Sequence, residues 1–154
     1  MKPTRVTRAA LQPVVMRAAW EHFPHGADVG IRGMGPTKEA AFEQAALALT
    51  GAVTDPAAVR PEVAVQVACE APAADVLLVD WLNALVYEMA TRRLVFGAFT
   101  VAIDGGRLHA TAWGETIDQV RHEPAVEIKG ATYTALRVEE RDDGSWLAQC
   151  VVDV

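Results

Sequence analysis

A stretch near the start of the chain decides its fold, and it reads Trp20-Glu21-His22-Phe23-Pro24-His25-Gly26-Ala27-Asp28-Val29-Gly30-Ile31-Arg32-Gly33. Alternating residues on both sides of Pro24-His25-Gly26 predict two strands, 18–23 and 28–34, joined by a turn. Gly26 supports that turn because glycine adopts backbone conformations that a side chain would block. The stretch is therefore predicted to form a β-hairpin.

Asp28 opens the second strand of this predicted hairpin. Because successive side chains alternate across a strand, Val29 and Ile31 face one side while Asp28 and Gly30 face the other. Asp28 is thus expected at the start of the strand, on the face opposite the apolar residues. A turn-capping Asp followed by an ordinary edge strand is the alternative, because Asp and Gly favour turns for purely local reasons.

Outward from the hairpin, two helical patterns and several strand patterns follow. Thr37 is expected to cap a first helix, and a more amphipathic second helix opens near Asp75 and ends at Arg92 and Arg93. Strand patterns cover 63–69, 99–112 with a turn at Asp104-Gly105-Gly106, 126–140 and 146–152, and a polar connection covers 115–124. The pattern predicts an α+β fold, a single domain over 18–154 of mostly antiparallel β-sheet with two main helices.

Composition and charge restrict the classes of function. Apolar residues make up 51% of the 154 residues, enough for a packed core, and the formal net charge is -6. Proteins that bind the phosphates of nucleic acid need a basic face, and a net negative charge does not favour such a face. No apolar run approaches the ~20 residues that cross a bilayer, so no membrane partner is expected. Cys69 and Cys150 have apolar neighbours and are predicted to be reduced core residues, which fits the cytoplasm.

Residues 1–17 differ from the rest of the chain. They carry four basic side chains and no acidic one, and their apolar part is interrupted by Gln12 and Pro13. That part is too short and too broken for a signal peptide. We therefore expect a basic N-terminal extension that is dispensable.

No common catalytic motif is present in the sequence. There is no Cys/His pair spacing for zinc, no phosphate-binding loop and no serine in a nucleophile elbow. Asp153 and Val154 end the sequence, so a side-chain carboxylate and a terminal carboxylate lie one residue apart. If the last strand is ordered to its end, both can reach one cation, and oxygen ligands favour calcium, magnesium or manganese. A frayed end with two solvated charges is the alternative.

Several stretches together resemble one known family. The segment 25–31, His-Gly-Ala-Asp-Val-Gly-Ile, is similar to the His-Thr-Ala-Asp-Val/Ile-Gly signature of archease. The resemblance continues in order through Thr37 to Ala46, Asp80-Trp81-Leu82-Asn83, Ala112-Trp113-Gly114-Glu115, Arg121-His122-Glu123-Pro124, Glu127 to Tyr133 and Val152-Asp153-Val154. It covers residues 20–154. Gly26 departs from the usual Thr or Glu, and Gly130 stands where Ala is common.

The resemblance implies a function that spacing alone does not. Archeases are protein partners of RtcB-type RNA ligases, which join RNA ends in tRNA splicing and RNA repair, and they promote guanylylation of the ligase and its multiple turnover. RNA is then contacted only through the ligase. The family's metal ligands, which bind calcium in the archaeal form, correspond to Asp28, Asp153 and Val154. Polar positions beside that site correspond to His25, His122, Glu127 and Lys129.

The residues leave other functions open. A small metal-dependent hydrolase could use His25 or His122 as a base beside an ion bound at Asp28. A chaperone-like interaction module would need no metal chemistry. Within the archease interpretation, the ion is either positioned at the nucleotide site of the ligase or purely structural.

Overall fold

The computed structural model describes residues 17–154. Its elements are, in chain order, β1 (Ala19–His25), β2 (Asp28–Gly35), α1 (Lys38–Val53), a short 3-10 turn (Pro56–Ala58), β3 (Val63–Glu70), α2 (Ala74–Arg92), β4 (Leu94–Asp104), β5 (Arg107–Thr116), α3 (Gln119–His122), β6 (Gly130–Ala131), β7 (Arg137–Glu140) and β8 (Trp146–Asp153). The predicted N-terminal extension lies outside the described residues, apart from Arg17.

Two antiparallel sheets and two long helices build the domain. The five-stranded sheet has the order β1-β2-β8-β6 with β7 also paired to β8, and the three-stranded sheet has the order β3-β5-β4. Helix α1 packs on β2 and β8 of one sheet and on β4 of the other, while α2 contacts strands of both. The predicted α+β fold with two main helices is confirmed. Neither of the long helices in residues 17–154 has the length and hydropathy to span a membrane.

Glycines let α1 lie directly on β2. A Cβ at Gly33 would overlap the backbone of Ala41 and Ala45, and a Cβ at Gly35 would also meet the helix. Ile31, on the same face of the strand, is completely buried. The core therefore begins on the side of β2 that the sequence pattern assigns to Val29 and Ile31.

The two long helices confirm the local signals in the sequence. Thr37 caps α1, because its Oγ1 accepts a hydrogen bond from the Ala40 N–H at 3.0 Å. The apolar stripe of α2 is buried, and Trp81 lies in its centre with no exposed surface. The Trp81 Nε1–H donates to the carbonyl oxygen of Phe42 at 3.1 Å, which ties α2 to α1.

The hairpin turn differs from the prediction. Strand β1 continues to His25, which pairs directly with Asp28, so the turn is Gly26-Ala27 rather than Pro24-His25-Gly26. Gly26 has a φ of +61°, as the first position of a type II′ hairpin turn requires. The prediction was wrong because proline usually interrupts strands, whereas Pro24 lies in an edge strand, where the missing N–H is tolerated.

Two predictions in the second half also need correction. The strand predicted over 126–140 is two short strands, β6 and β7, separated by a loop in which Ala135 has a φ of 54°. In the segment predicted as a polar connection, Glu115 and Thr116 belong to β5, and 119–122 is helical. A tertiary hydrogen bond holds the first loop, since Gln149 Nε2 donates to the Ala135 carbonyl oxygen at 3.0 Å. The helical turn has a local cause, because Asp118 Oδ1 accepts from the N–H groups of Val120 and Arg121.

Candidate functional site

One end of the five-stranded sheet brings together acids from both ends of the chain. His25 lies opposite Asp28 in the β1–β2 hairpin. Val29 lies opposite Val152 in the outermost β2–β8 pair, and continuing this register by one residue puts Asp28 next to Asp153. Opposed residues of antiparallel strands project from the same face, with Cβ atoms roughly 5 Å apart. His25, Asp28 and Asp153 therefore form one cross-strand row, here called the acidic row.

The end of the chain is held at this row. The Val154 N–H donates a long hydrogen bond, 3.4 Å, to Asp28 Oδ1. The Asp153 carbonyl oxygen accepts from the Lys129 N–H at 2.8 Å, while the Asp153 side chain is exposed. The Val154 side chain packs against the core. The last strand is thus ordered through Asp153, in contrast to the frayed end that was the alternative.

The charges of the acidic row are not balanced by protein cations. Among residues 17–154, neither Asp28 nor Asp153 takes part in an ion pair. Two carboxylates that face each other across a strand pair repel, and a bound cation offsets that repulsion. Their oxygen-only chemistry fits a hard divalent ion. The described residues hold no group of three His, Cys, Asp or Glu side chains suited to a metal.

Asn83 of α2 holds the strand beside the acidic row. Its Oδ1 accepts from the Ala131 N–H at 2.8 Å, and its Nδ2 donates to the Ala131 carbonyl oxygen at 3.3 Å. This side-chain amide takes the place of a neighbouring strand and covers the open edge of β6. Gly130 lies opposite Asp153, and a Cβ there would lie 3.4 Å from Asn83 Oδ1. The two Asn83 hydrogen bonds therefore hold in place the segment that binds the Asp153 backbone.

Comparison with known proteins identifies the family. The sequence model of the Archease protein family matches residues 20–154. The chain belongs to the archease family. It is 40% identical to the protein archease of Pyrococcus furiosus over 139 residues, which are 88% of this chain and 98% of that protein. It is 41% identical to the protein archease of Thermococcus gammatolerans over 139 residues, with the same shares covered.

A solved structure agrees with this assignment. The solution structure of Methanobacterium thermoautotrophicum protein 1598 matches this archease with a TM-score of 0.78 and 32% sequence identity. The match covers 88% of this chain and 99% of that chain. The fold of the described domain is therefore an archease fold.

Of the polar residues predicted beside the site, this archease brings two to the row, whereas Glu127 lines a cavity elsewhere. His25 belongs to the row itself, and Lys129 is bound through its backbone to Asp153. Glu127, two residues before Lys129, is exposed and lines a cavity of about 440 Å³ between α2 and the segment 124–128. The roles of His25, Lys129 and Glu127 in function stay predictions, because the structure shows only their positions.

His122 lies in a separate, buried network. Its Nδ1 accepts from the backbone N–H of Asp118 at 2.8 Å. Because that N–H can only donate, the proton of the neutral ring is on Nε2, which lies 2.9 Å from Glu115 Oε2 and donates to it. Both ring nitrogens are thus engaged, and the His122 side chain is fully buried. The structure does not bring His122 into the acidic row of this archease.

Glu115 is the centre of the buried network, a role that no local sequence pattern predicts because its partners lie outside its own strand. It is only 3% exposed, and its carboxylate accepts from the Arg60 N–H at 2.7 Å and from the Arg121 guanidinium. Burial raises the pKa of Glu115, but the hydrogen bonds from Arg60, Arg121 and His122 outweigh it and lower the pKa to about 2. Glu115 is therefore a fully paired carboxylate that fixes the segment leading to Glu127.

Proposed function

We propose that this archease binds a divalent cation through Asp28, Asp153 and the carboxyl group of Val154, and that it thereby activates an RtcB-type RNA ligase in tRNA splicing or RNA repair. Calcium is the ion that the family resemblance favours, with manganese and magnesium as alternatives. The observation that carries the proposal is the acidic row, in which two unpaired carboxylates oppose each other beside the end of the chain.

The residues of the chain divide the task between them. Asp28 and Asp153 supply opposed carboxylates from two strands, and the β2–β8 ladder fixes their separation. His25, opposite Asp28, is the member of the row that can carry positive charge or a proton. A divalent cation bound here would offset the charge of a nucleoside triphosphate and assist attack on its α-phosphorus in the ligase.

The charge of the protein favours a protein partner over free RNA. The net charge is -6, and the proposed site is formed by carboxylates, so the phosphates of free RNA would be repelled from it. A ligase that binds RNA and a nucleoside triphosphate must instead offer a basic cleft, which an acidic surface complements. RNA is then reached only through the ligase.

A ligation assay with the cognate ligase tests the proposal. We expect the archease to accelerate guanylylation of the ligase and to convert single turnover into multiple turnover. Asp28→Ala and Asp153→Ala should abolish this stimulation while their circular dichroism spectra match that of the parent. Asp104→Ala, an exposed carboxylate beside the β4–β5 turn, is the matched control and should stimulate normally.

The same proteins discriminate the other functions. Turnover of simple phosphoesters by the pure protein with divalent metal, in the absence of a ligase, would favour a hydrolase. Full stimulation by both Ala variants would favour an interaction module without metal chemistry. For a hydrolase the base would have to be His25, because both ring nitrogens of His122 are already engaged within the protein.

A further inference from the structure

The two tyrosines of the chain stand out on the surface. Tyr87 is 64% exposed and Tyr133 is 62% exposed. Tyrosine presents a large, partly apolar surface with few rotatable bonds, and it is enriched among the residues that carry most of the energy of protein interfaces. Tyr133 lies two residues after β6, the strand in which Gly130 pairs with Asp153.

Tyr133 is presented by a loop bound to β8 on both sides of it. The Thr132 hydroxyl donates to the Val151 carbonyl oxygen at 2.8 Å, and the Val151 N–H donates to the Thr134 carbonyl oxygen at 3.1 Å. Val151 is only two residues before Asp153. Tyr133 is therefore held at a fixed position close to the acidic row.

Ala135, two residues after Tyr133, shows that the backbone of this loop is held firmly. Ala135 has a φ of 54°, a left-handed conformation that a residue with a side chain keeps only when its surroundings impose it. The buried Gln149 imposes it here by donating from Nε2 to the Ala135 carbonyl oxygen. A rigid aromatic side chain loses little conformational entropy on binding, which is the property of an interface anchor.

Tyr87 reaches the same surface from α2. It lies four residues after Asn83, on the helix face that Asn83 uses to hold Ala131. Val86, beside Tyr87, lines one cavity together with Glu127, so this helix turn runs alongside the segment before β6. Tyr133 thus follows the segment 127–131 in the chain, and Tyr87 lies on the helix that contacts β6 within this segment.

The charges around the tyrosines indicate the kind of partner. Glu127 and Asp153 are exposed in this region together with Lys129, and Arg93 lines the same cavity as Glu127. With Asp28 and the carboxyl group of Val154, the acidic groups outnumber these cations. Such a surface repels nucleic acid and complements a basic protein surface. An RNA ligase carries that basic surface around its phosphate-binding cleft, and the tyrosine surface is continuous with the acidic row that would face this cleft.

We infer that Tyr87 and Tyr133 are the anchor residues by which this archease docks on its ligase, beside the cleft that receives the acidic row. The inference rests on the proposed function, since it names the contact through which that function acts. The anchors supply affinity, whereas Asp28 and Asp153 supply the activating site. Affinity and maximal stimulation are therefore carried by different residues.

A titration of the ligase with archease separates these two quantities. The rate of guanylylation is measured against archease concentration for the parent, Tyr87→Ala, Tyr133→Ala and the double variant. We expect the double variant to raise the half-saturating concentration about tenfold or more with an unchanged maximal rate. Asp28→Ala should show the opposite behaviour, with binding to immobilised ligase like that of the parent and a lost maximal rate.

Matched controls make the titration decisive. Val63 is an exposed apolar residue on β3, which belongs to the other sheet from β6, so Val63→Ala should titrate like the parent. Direct binding to immobilised ligase is measured in parallel, and thermal unfolding confirms that each variant is folded. The inference is overturned if the double variant binds and titrates the ligase like the parent. It is also overturned if the double variant loses binding to a single-stranded RNA probe but keeps binding to the ligase. A parent that binds the ligase without stimulating it contradicts the proposed function instead.

Discussion

Two groups of carboxylates in this archease have opposite surroundings. Glu115 is buried and receives hydrogen bonds from Arg121, His122 and a backbone N–H. Asp28 and Asp153 lie at the ends of β2 and β8, and no ion pair within residues 17–154 includes either of them. The protein gives Glu115 several donors, whereas the donor recorded for Asp28 is the Val154 N–H, at 3.4 Å. The surroundings of an acid, more than its residue type, thus separate a framework residue from a candidate ligand.

The largest effect is expected from removing the buried carboxylate. Glu115→Ala leaves the Arg121 charge and the His122 Nε2–H without their partner, and breaking a buried pair in this way costs about 3 kcal/mol of unfolding free energy. Urea unfolding followed by circular dichroism measures it. Glu140→Ala removes an exposed carboxylate and should change stability by less than about 0.5 kcal/mol. Equal losses from both variants would contradict a framework role for Glu115.

Acid should weaken the same network in a defined pH range. The pKa of Glu115 is lowered from 4.5 to about 2 in the folded protein, so the unfolded chain binds its proton first as the pH falls. The stabilisation is complete above pH 4.5 and is lost as the pH falls towards about 2. Glu115→Gln cannot titrate there, and its unfolding free energy should depend less steeply on pH. Urea unfolding at a series of acidic pH values measures both slopes, and identical slopes would exclude Glu115 as the group responsible.

Replacing Asp28 or Asp153 should have the opposite result to replacing Glu115, with a large effect on ion binding and a small effect on stability. Asp28→Asn or Asp153→Asn keeps an oxygen but removes the negative charge of a proposed ligand, so calcium affinity should fall about tenfold or more. Without metal, either variant should be as stable as the parent or slightly more stable, because the opposed charges no longer repel. Calorimetric titration measures affinity, and thermal unfolding with and without calcium shows whether stabilisation by the ion is lost. A variant that calcium stabilises like the parent would contradict the site.

The contrast between the two groups also explains what could be predicted from the sequence. Thr37 and the stripe around Trp81 follow from local spacing, and the structure confirms both. The partners of Asn83 and Glu115 lie 48 and 55 residues away in sequence, at Ala131 and Arg60, so no local pattern marks them. The acidic row could be anticipated only because the resemblance singles out its members. The ladder register that opposes them is a property of the folded sheet.

The smallest effects on calcium affinity and stability are expected at Val154. Two changes there distinguish the contribution of the terminal charge from that of the side chain. Extending the chain beyond Val154 converts its carboxylate into a neutral amide, which still offers an oxygen but brings no charge, so calcium affinity and ligase stimulation should fall. Val154→Ala keeps the carboxylate and loses only part of a side chain that packs on the core, so it should cost about 1 kcal/mol of stability and leave affinity nearly unchanged. The same extension placed before residue 1 controls for the added sequence. If both extended proteins bind calcium like the parent, the terminal carboxylate is not a ligand, and Asp28 and Asp153 must form the site without it.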